Sequence, residues 1–469
     1  MSGLNRAMSE VSSDGAPRRH VSTAYVVMLA VGMVVGAGIF RAPAEAAANA
    51  GSVGWLYAAW LIGGALTFAG ALCYSELASA FPSAGGDYHF LGLAYGKRVA
   101  FLFAWGRFAI INSGSIAFLG FVIGDYLNAV PQFHLGTDGS AIYAAISVIA
   151  LTLFNLRGTY KGKAASYSVT GLEVAGLVMM GAAALWLALQ GIAPATPIGT
   201  GTPALPPASF GLAMVFVLLA YGGWSEIATL SAEIKDAKHG MARAHTISIL
   251  VITALYLLVN WAFLRGLGFE GLAQSEAPAA DLMGRAFGAY AALLIAIAVA
   301  FAAITSINAT IIVGARTTYA AARDFPALGA FARWDEARGI PAAATWAQGA
   351  ISLALVGLGA WTRNGFQTTV DYTFPAFWLF LTLSGIAVIV LRFTKKDAPR
   401  PFKTPLYPLT PLIFIGSSLY MLWSSLSYVA SLDNPRLGAL VGVGVLLLGL
   451  VALAYVEIRG RRANRAAAD

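Results

Sequence analysis

Apolar runs long enough to cross a lipid core recur along the whole chain, each closed by a short charged or Pro/Gly stretch. A hydrocarbon layer ~30 Å thick takes ~20 residues of helix. Runs of that order fall at 22–48, 53–79, 99–127, 141–157, 164–189, 209–233, 244–267, 286–320, 341–361, 370–392, 407–429 and 437–458. They predict an all-α polytopic membrane protein of about twelve transmembrane helices, called spans 1 to 12 below. The uncharged Gly/Pro/Thr-rich stretch 190–207 reads as an external connection, residues 1–20 as a disordered cytoplasmic N-terminus, and the Arg/Ala-rich end as a cytoplasmic tail.

Composition agrees with lipid as the main solvent. Of the 469 residues 58% are hydrophobic and 11% charged, where a soluble protein carries about 25% charged residues. Cys73 is the one cysteine, so an intrachain disulfide is excluded. The net charge of +8 raises nucleic acid as a partner, but the basic residues are scattered between apolar runs rather than gathered on one face. Most of the 30 Lys and Arg fall in alternate connections, such as Lys97 and Arg98, Arg157 to Lys163, Lys235 to Arg243 and Arg392 to Lys403. The positive-inside rule then puts both termini in the cytoplasm, and the cytoplasmic (inner) membrane is the expected location. A cleaved secretory signal is excluded because Arg41, Pro43 and Glu45 interrupt the first apolar run.

Two spans carry glycine interruptions at mid-length: Gly36-Ala37-Gly38-Ile39-Phe40 in span 1 and Tyr221-Gly222-Gly223-Trp224-Ser225 in span 6. Irregular backbone at that depth must line a protein cavity, because lipid offers no substitute hydrogen bonds. Each pair alone suits close helix packing. Both together, in the first and sixth spans, point to an inverted-repeat transporter with a midplane site. The amides that start one half-helix suit a carboxylate and the carbonyls that end the other suit an ammonium, so the pair suits a zwitterion.

The stretches Gly32 to Pro43 (GMVVGAGIFRAP), Tyr74 to Tyr88 (YSELASAFPSAGGDY), Ala220 to Ala244 (AYGGWSEIATLSAEIKDAKHGMARA) and Asn308 to Pro326 (NATIIVGARTTYAAARDFP) resemble the amino acid-polyamine-organocation superfamily, most closely its L-amino-acid transporter-like members. The resemblance implies the LeuT-type fold: a transport core over 21–392, with inverted repeats 21–189 and 209–392 and broken helices 1 and 6. Residues 393–469 would hold two peripheral helices and the tail. It further implies that the Ala37, Gly38 and Ile39 amides, helped by Gly36, bind the substrate carboxylate. Carbonyls around Val34, Val35 and Tyr221 would bind the amine, with Gly222 and Ser225 beside them, and Trp224 would wall or gate the side-chain pocket. Many members without sodium coupling carry a lysine where this chain has Glu173.

Charged groups at bilayer depth are functional candidates. Glu173 has two balanced readings: a proton carrier, since a dry interior favours the neutral carboxyl, or a fixed pair with Arg107, which lies at similar depth. Sodium held by Glu173, Thr305 and Ser306 is a third and weaker option. Glu226 reads first as scaffold, and as a counter-ion for a cationic substrate if it faces the pocket. Arg41 either steers anions or pairs with Glu45 at i,i+4. Glu76, Asp87, Glu233 and Asp371 are expected to organise gates at helix ends. The five histidines lie near loops without ligand spacing, no phosphate loop occurs, and no nucleophile constellation suggests an enzyme. No cofactor, metal or obligate protein partner is implied.

The expectation is a secondary active permease for neutral L-amino acids, because Ile39, Ile111, Ala220, Trp224 and Ile227 make an apolar pocket. Coupling to protons, or exchange, is expected. A cationic amino-acid or polyamine carrier is the alternative, and a channel or membrane nutrient sensor the reading from other classes.

Overall fold

The computed structural model describes residues 22–83, 85–158, 163–199, 203, 206–207, 209–231, 234, 236, 239–427 and 437–466. The segment 1–20, Glu233 and part of the 190–207 loop lie outside them. Every expected span is helical. Span 1 is Thr23–Val34, a short 3₁₀ turn Ala37–Phe40, then Ala42–Ala50; span 2 is Val53–Ala80; span 3 runs through Lys97–Gly106, a π-helical turn Arg107–Asn112, and Ser113–Ala129. Spans 4 and 5 are Gly139–Leu156 and Lys163–Leu189. Span 6 is Phe210–Ala220 followed by a 3₁₀ stretch Trp224–Leu230; spans 7 to 10 are Gly240–Gln274, Ala289–Arg323, Ala342–Thr362 and Gly365–Thr394; spans 11 and 12 are Leu409–Ser427 and Leu437–Ala466. Among the described residues ten helices are continuous and apolar enough to cross a membrane, and Thr23–Val34 and Glu173–Leu189 are shorter apolar helices.

The spans differ in what surrounds them. The most apolar stretch of span 3 is 89% buried and that of span 12 only 22%, so span 3 runs through the centre of the bundle and span 12 along its rim. The apolar side chains left open on span 12, such as Leu447 and Val451, have lipid as their partner.

Two further helices link spans: Gly86–Tyr95 between spans 2 and 3, and Pro278–Phe287 between spans 7 and 8. At ten residues each they are too short for a span, and hydropathy alone does not reveal them. Each ends at a glycine with nearly the same backbone geometry, Gly96 (φ 87°, ψ 177°) and Gly288 (φ 84°, ψ −178°), a region open essentially to glycine alone. The next span starts directly from that glycine. The recurrence at an interval of five spans is the trace of an internal repeat, and an odd interval means that the two copies cross the membrane in opposite directions.

Candidate functional site

The interruptions of spans 1 and 6 lie against each other. Gly223 has φ +100°, and a Cβ there would stand 2.5 Å from the Met33 carbonyl oxygen of span 1, so both the turn and the close approach require glycine. The Tyr256 hydroxyl of span 7 lies 3.0 Å from the Val34 carbonyl and 2.7 Å from the Ala220 carbonyl, within reach of both broken helices. Nothing in the spacing of span 7 singles out Tyr256; its role comes from where the two breaks sit.

The interruptions leave backbone groups unpaired. Among the described residues the Ala37 and Gly38 amides donate to no partner, nor do those of Trp224 and Ser225 at the start of the second half of span 6. A Cβ on Gly38 would meet nothing within 4 Å, and one on Gly36 would meet only the Ser306 Oγ at 3.8 Å, so the amides border open space. On the carbonyl side, Val34 already accepts from the Gly36 amide at 2.9 Å and faces the Tyr256 hydroxyl, which occupies both lone pairs. The Val35 and Tyr221 carbonyls accept no hydrogen bond among the described residues and remain available. The arrangement therefore offers amides to an anion and carbonyls to a cation a few ångströms apart.

The side chains around the breaks divide into two groups. Tyr221 turns away, its hydroxyl on the Trp60 carbonyl and Thr253 Oγ1, both at 3.1 Å. The Trp224 ring packs against Tyr74 (4.9 Å between centroids), Phe414 and His245. Ile111 sits in the π-helical turn of span 3 and is partly open, as are Gly222 and Ser225, while Ile39 is buried. Span 8 packs on the 3₁₀ turn of span 1; there Thr305 Oγ1 donates to the Ala302 carbonyl of its own helix.

Charge pairing departs from the sequence expectation. Arg107 does not pair with Glu173; its Nη2 lies 2.7 Å from Glu226 Oε2 across spans 3 and 6. The reason is reach: the π-helical turn carries Arg107 toward the start of the second half of span 6, whereas Glu173 lies on span 5. Glu226 thereby faces a helix neighbour, as the scaffold reading expects, through an ion pair. Glu173 is 4% exposed and has no hydrogen bond or ion pair among the described residues. Arg41 pairs with Glu45 at 2.9 Å, approaches Asp125 of span 3 at 3.4 Å, and donates from Nη1 to the Ser275 carbonyl at 2.9 Å.

Other polar groups gather where the first halves of spans 1 and 3 lie. Tyr74 Oη and Ser384 Oγ donate to Asp87 Oδ1 at 2.5 and 2.8 Å, and Tyr88 donates to Asp324. Glu76 takes a two-pronged bond from Arg392 and a third from the Thr404 amide. His245, expected near a loop, is fully buried between Ser75 and the Trp224 carbonyl, because span 7 begins four residues earlier than its hydropathy suggests.

Two discontinuous helices touching at mid-depth, with free amides and carbonyls beside open space, define a membrane transporter of small zwitterions. The chain belongs to the amino acid permease family, whose model matches residues 21–450. It is 26% identical over 459 residues to the serine/threonine exchanger SteT of Bacillus subtilis, covering 97% of this chain and 100% of that protein. It is 27% identical to the b(0,+)-type amino acid transporter 1 of Mus musculus over 91% of this chain and 85% of the other, and 27% identical to the large neutral amino acids transporter small subunit 2 of Rattus norvegicus over 89% and 79%. It is a secondary amino-acid transporter of the membrane and not an enzyme.

Proposed function

We propose that this chain moves neutral L-amino acids across the cytoplasmic membrane by alternating access, with both termini cytoplasmic. The Ala37 and Gly38 amides hold the α-carboxylate, and the Val35 and Tyr221 carbonyls hold the α-ammonium. The observation that carries the reading is the open space beside Gly38, bordered by amides without acceptors. A neutral cargo follows from charge balance, since the ion pair at the floor of the breaks leaves no single charge to attract a lysine or a polyamine. The core spans 21–392 in two inverted repeats, 21–189 and 209–392, and spans 11 and 12 are peripheral.

Glu173 carries the coupling proton. A carboxyl enclosed in the bundle without a cation holds its proton, and releases it when water enters. Sodium is less well served, because Thr305 already spends its hydroxyl proton within its own helix and no pair ties Glu173 to it among the described residues.

The test is uptake of radiolabelled amino acids into proteoliposomes under imposed proton or sodium gradients, with wild type and Glu173→Gln. Accumulation of a neutral amino acid driven by protons in wild type, and reduced to exchange alone in Glu173→Gln, is the expected result. Normal accumulation by the variant moves coupling elsewhere, and absence of saturable uptake of any neutral amino acid overturns the substrate assignment.

A further inference from the structure

The Arg107–Glu226 pair is incompletely satisfied in a way that suits a ligand. It is held by one hydrogen bond, Nη2 to Oε2. The Arg107 Nε is buried with no partner. Among the described residues Glu226 Oε1 accepts nothing, and the Glu226 side chain keeps 31% of its surface open although it lies at the middle of a span. The pair thus keeps one unused donor and one unused acceptor. Glu226 lies within the first turn after the span 6 break, where its amide bonds the Gly223 carbonyl. Arg107 is one helical turn from Ile111, the apolar residue of the same face.

We propose that Arg107 and Glu226 together recognise the substrate side chain, and that they select a short uncharged one that both donates and accepts, a hydroxyl or a carboxamide. The inference rests on the reading that the substrate's carboxylate and ammonium sit at the breaks. An oxygen on the side chain accepts from Arg107 while its O–H or N–H donates to Glu226, so the buried donor gains the partner it lacks. An aliphatic side chain of the same shape leaves both groups unpaired. A carboxylate brings a second negative charge against Glu226 and a cation a second positive charge against Arg107, so like-charge repulsion disfavours both charged classes at the same pair.

The decisive measurement is the ratio of kcat/KM for threonine over its isostere valine, in proteoliposomes of the full chain. A ratio cancels the fraction of active protein. Wild type is expected to prefer threonine by about tenfold or more. The double variant Arg107→Met/Glu226→Leu, which leaves no charge stranded, should bring the ratio near unity through KM with kcat little changed. Single variants supply a gain that misfolding cannot imitate: Glu226→Gln should admit aspartate as a competitor, and Arg107→Gln should admit lysine. An unchanged ratio in the double variant, or single variants that admit neither ion, overturns the proposal. The location of the backbone site is judged separately by Gly38→Val, whose side chain fills the open space: it should abolish uptake of threonine and valine alike. Uptake surviving in Gly38→Val refutes that location, while the ratio still decides what the ion pair does.

Discussion

At the scale of single residues, surroundings and not residue type set what each acid does. Glu173, Glu226 and Asp87 are all acids without full exposure, yet the first has no cation among the described residues, the second has Arg107, and the third accepts two hydroxyl hydrogen bonds. Asp87 lies in the linking helix outside the spans. Its burial raises its pKa from the usual carboxylate range to about 6, reinforced by the nearby Glu226 charge and opposed by the Tyr74 and Ser384 hydroxyls and by Arg107. The folded chain therefore binds the Asp87 proton more tightly than the unfolded chain does. Between about pH 4 and pH 6 its contribution to stability falls as pH rises, and above that range the penalty is complete. Asp87→Asn, whose amide oxygen still accepts from Tyr74, should gain about 1–2 kcal/mol relative to wild type at pH 8 and nothing at pH 4. Thermal unfolding of detergent-solubilised protein across that range checks it; an equal gain at both pH values would refute the assignment.

At the scale of elements, hydropathy made all the spans legible, because a segment in lipid must satisfy its own backbone and be apolar over a fixed length. Both helix interruptions were equally legible, since glycine pairs at mid-depth have few other uses. What escaped was set by three-dimensional neighbours. The linking helices are short, the π-helical turn at Arg107–Asn112 has no signature of composition, and the partner of Arg107 depended on that turn. Tyr256 became part of the site only through the position of two carbonyls. The connection between spans 10 and 11 shows how such contacts add up. Glu76, 2% exposed at the end of span 2, bonds Arg392 twice and the Thr404 amide once, with Arg400 at 3.5 Å. Glu76→Ala leaves cations facing an emptied site and should cost about 3–5 kcal/mol. Arg392→Met added to Glu76→Ala should recover part of that loss, because Arg400 alone is then left facing the emptied site. A double-mutant cycle on thermal stability measures the coupling, and simple additivity would show that the bond is only incidental to the junction.

At the scale of the whole molecule, polar clusters hold the bundle on both sides of the breaks. Arg41, Glu45, Asp125 and the Ser275 carbonyl tie the second half of span 1 to span 3 and to the connection after span 7. On the other side Tyr74, Asp87 and Ser384 tie span 2, the first linking helix and span 10. Alternating access requires that one cluster part while the other holds, since a site open to both sides would leak. Weakening either cluster should then shift the same equilibrium in opposite directions. Cys73 is buried, so a cysteine-reactive probe starts from a low background. With Ile39→Cys reporting on the Arg41 side and Ile227→Cys on the Asp87 side, Arg41→Gln should speed labelling at position 39 and slow it at 227. Ser384→Ala, which removes one bond to Asp87, should do the reverse, by a smaller factor because Tyr74 still donates. The size of each shift is limited by the bonds removed, of order 1 kcal/mol for the hydroxyl and more for the buried guanidinium. Labelling that rises at both positions in either variant would mean general loosening of the bundle, and the two clusters would then be independent braces rather than opposed gates of one equilibrium.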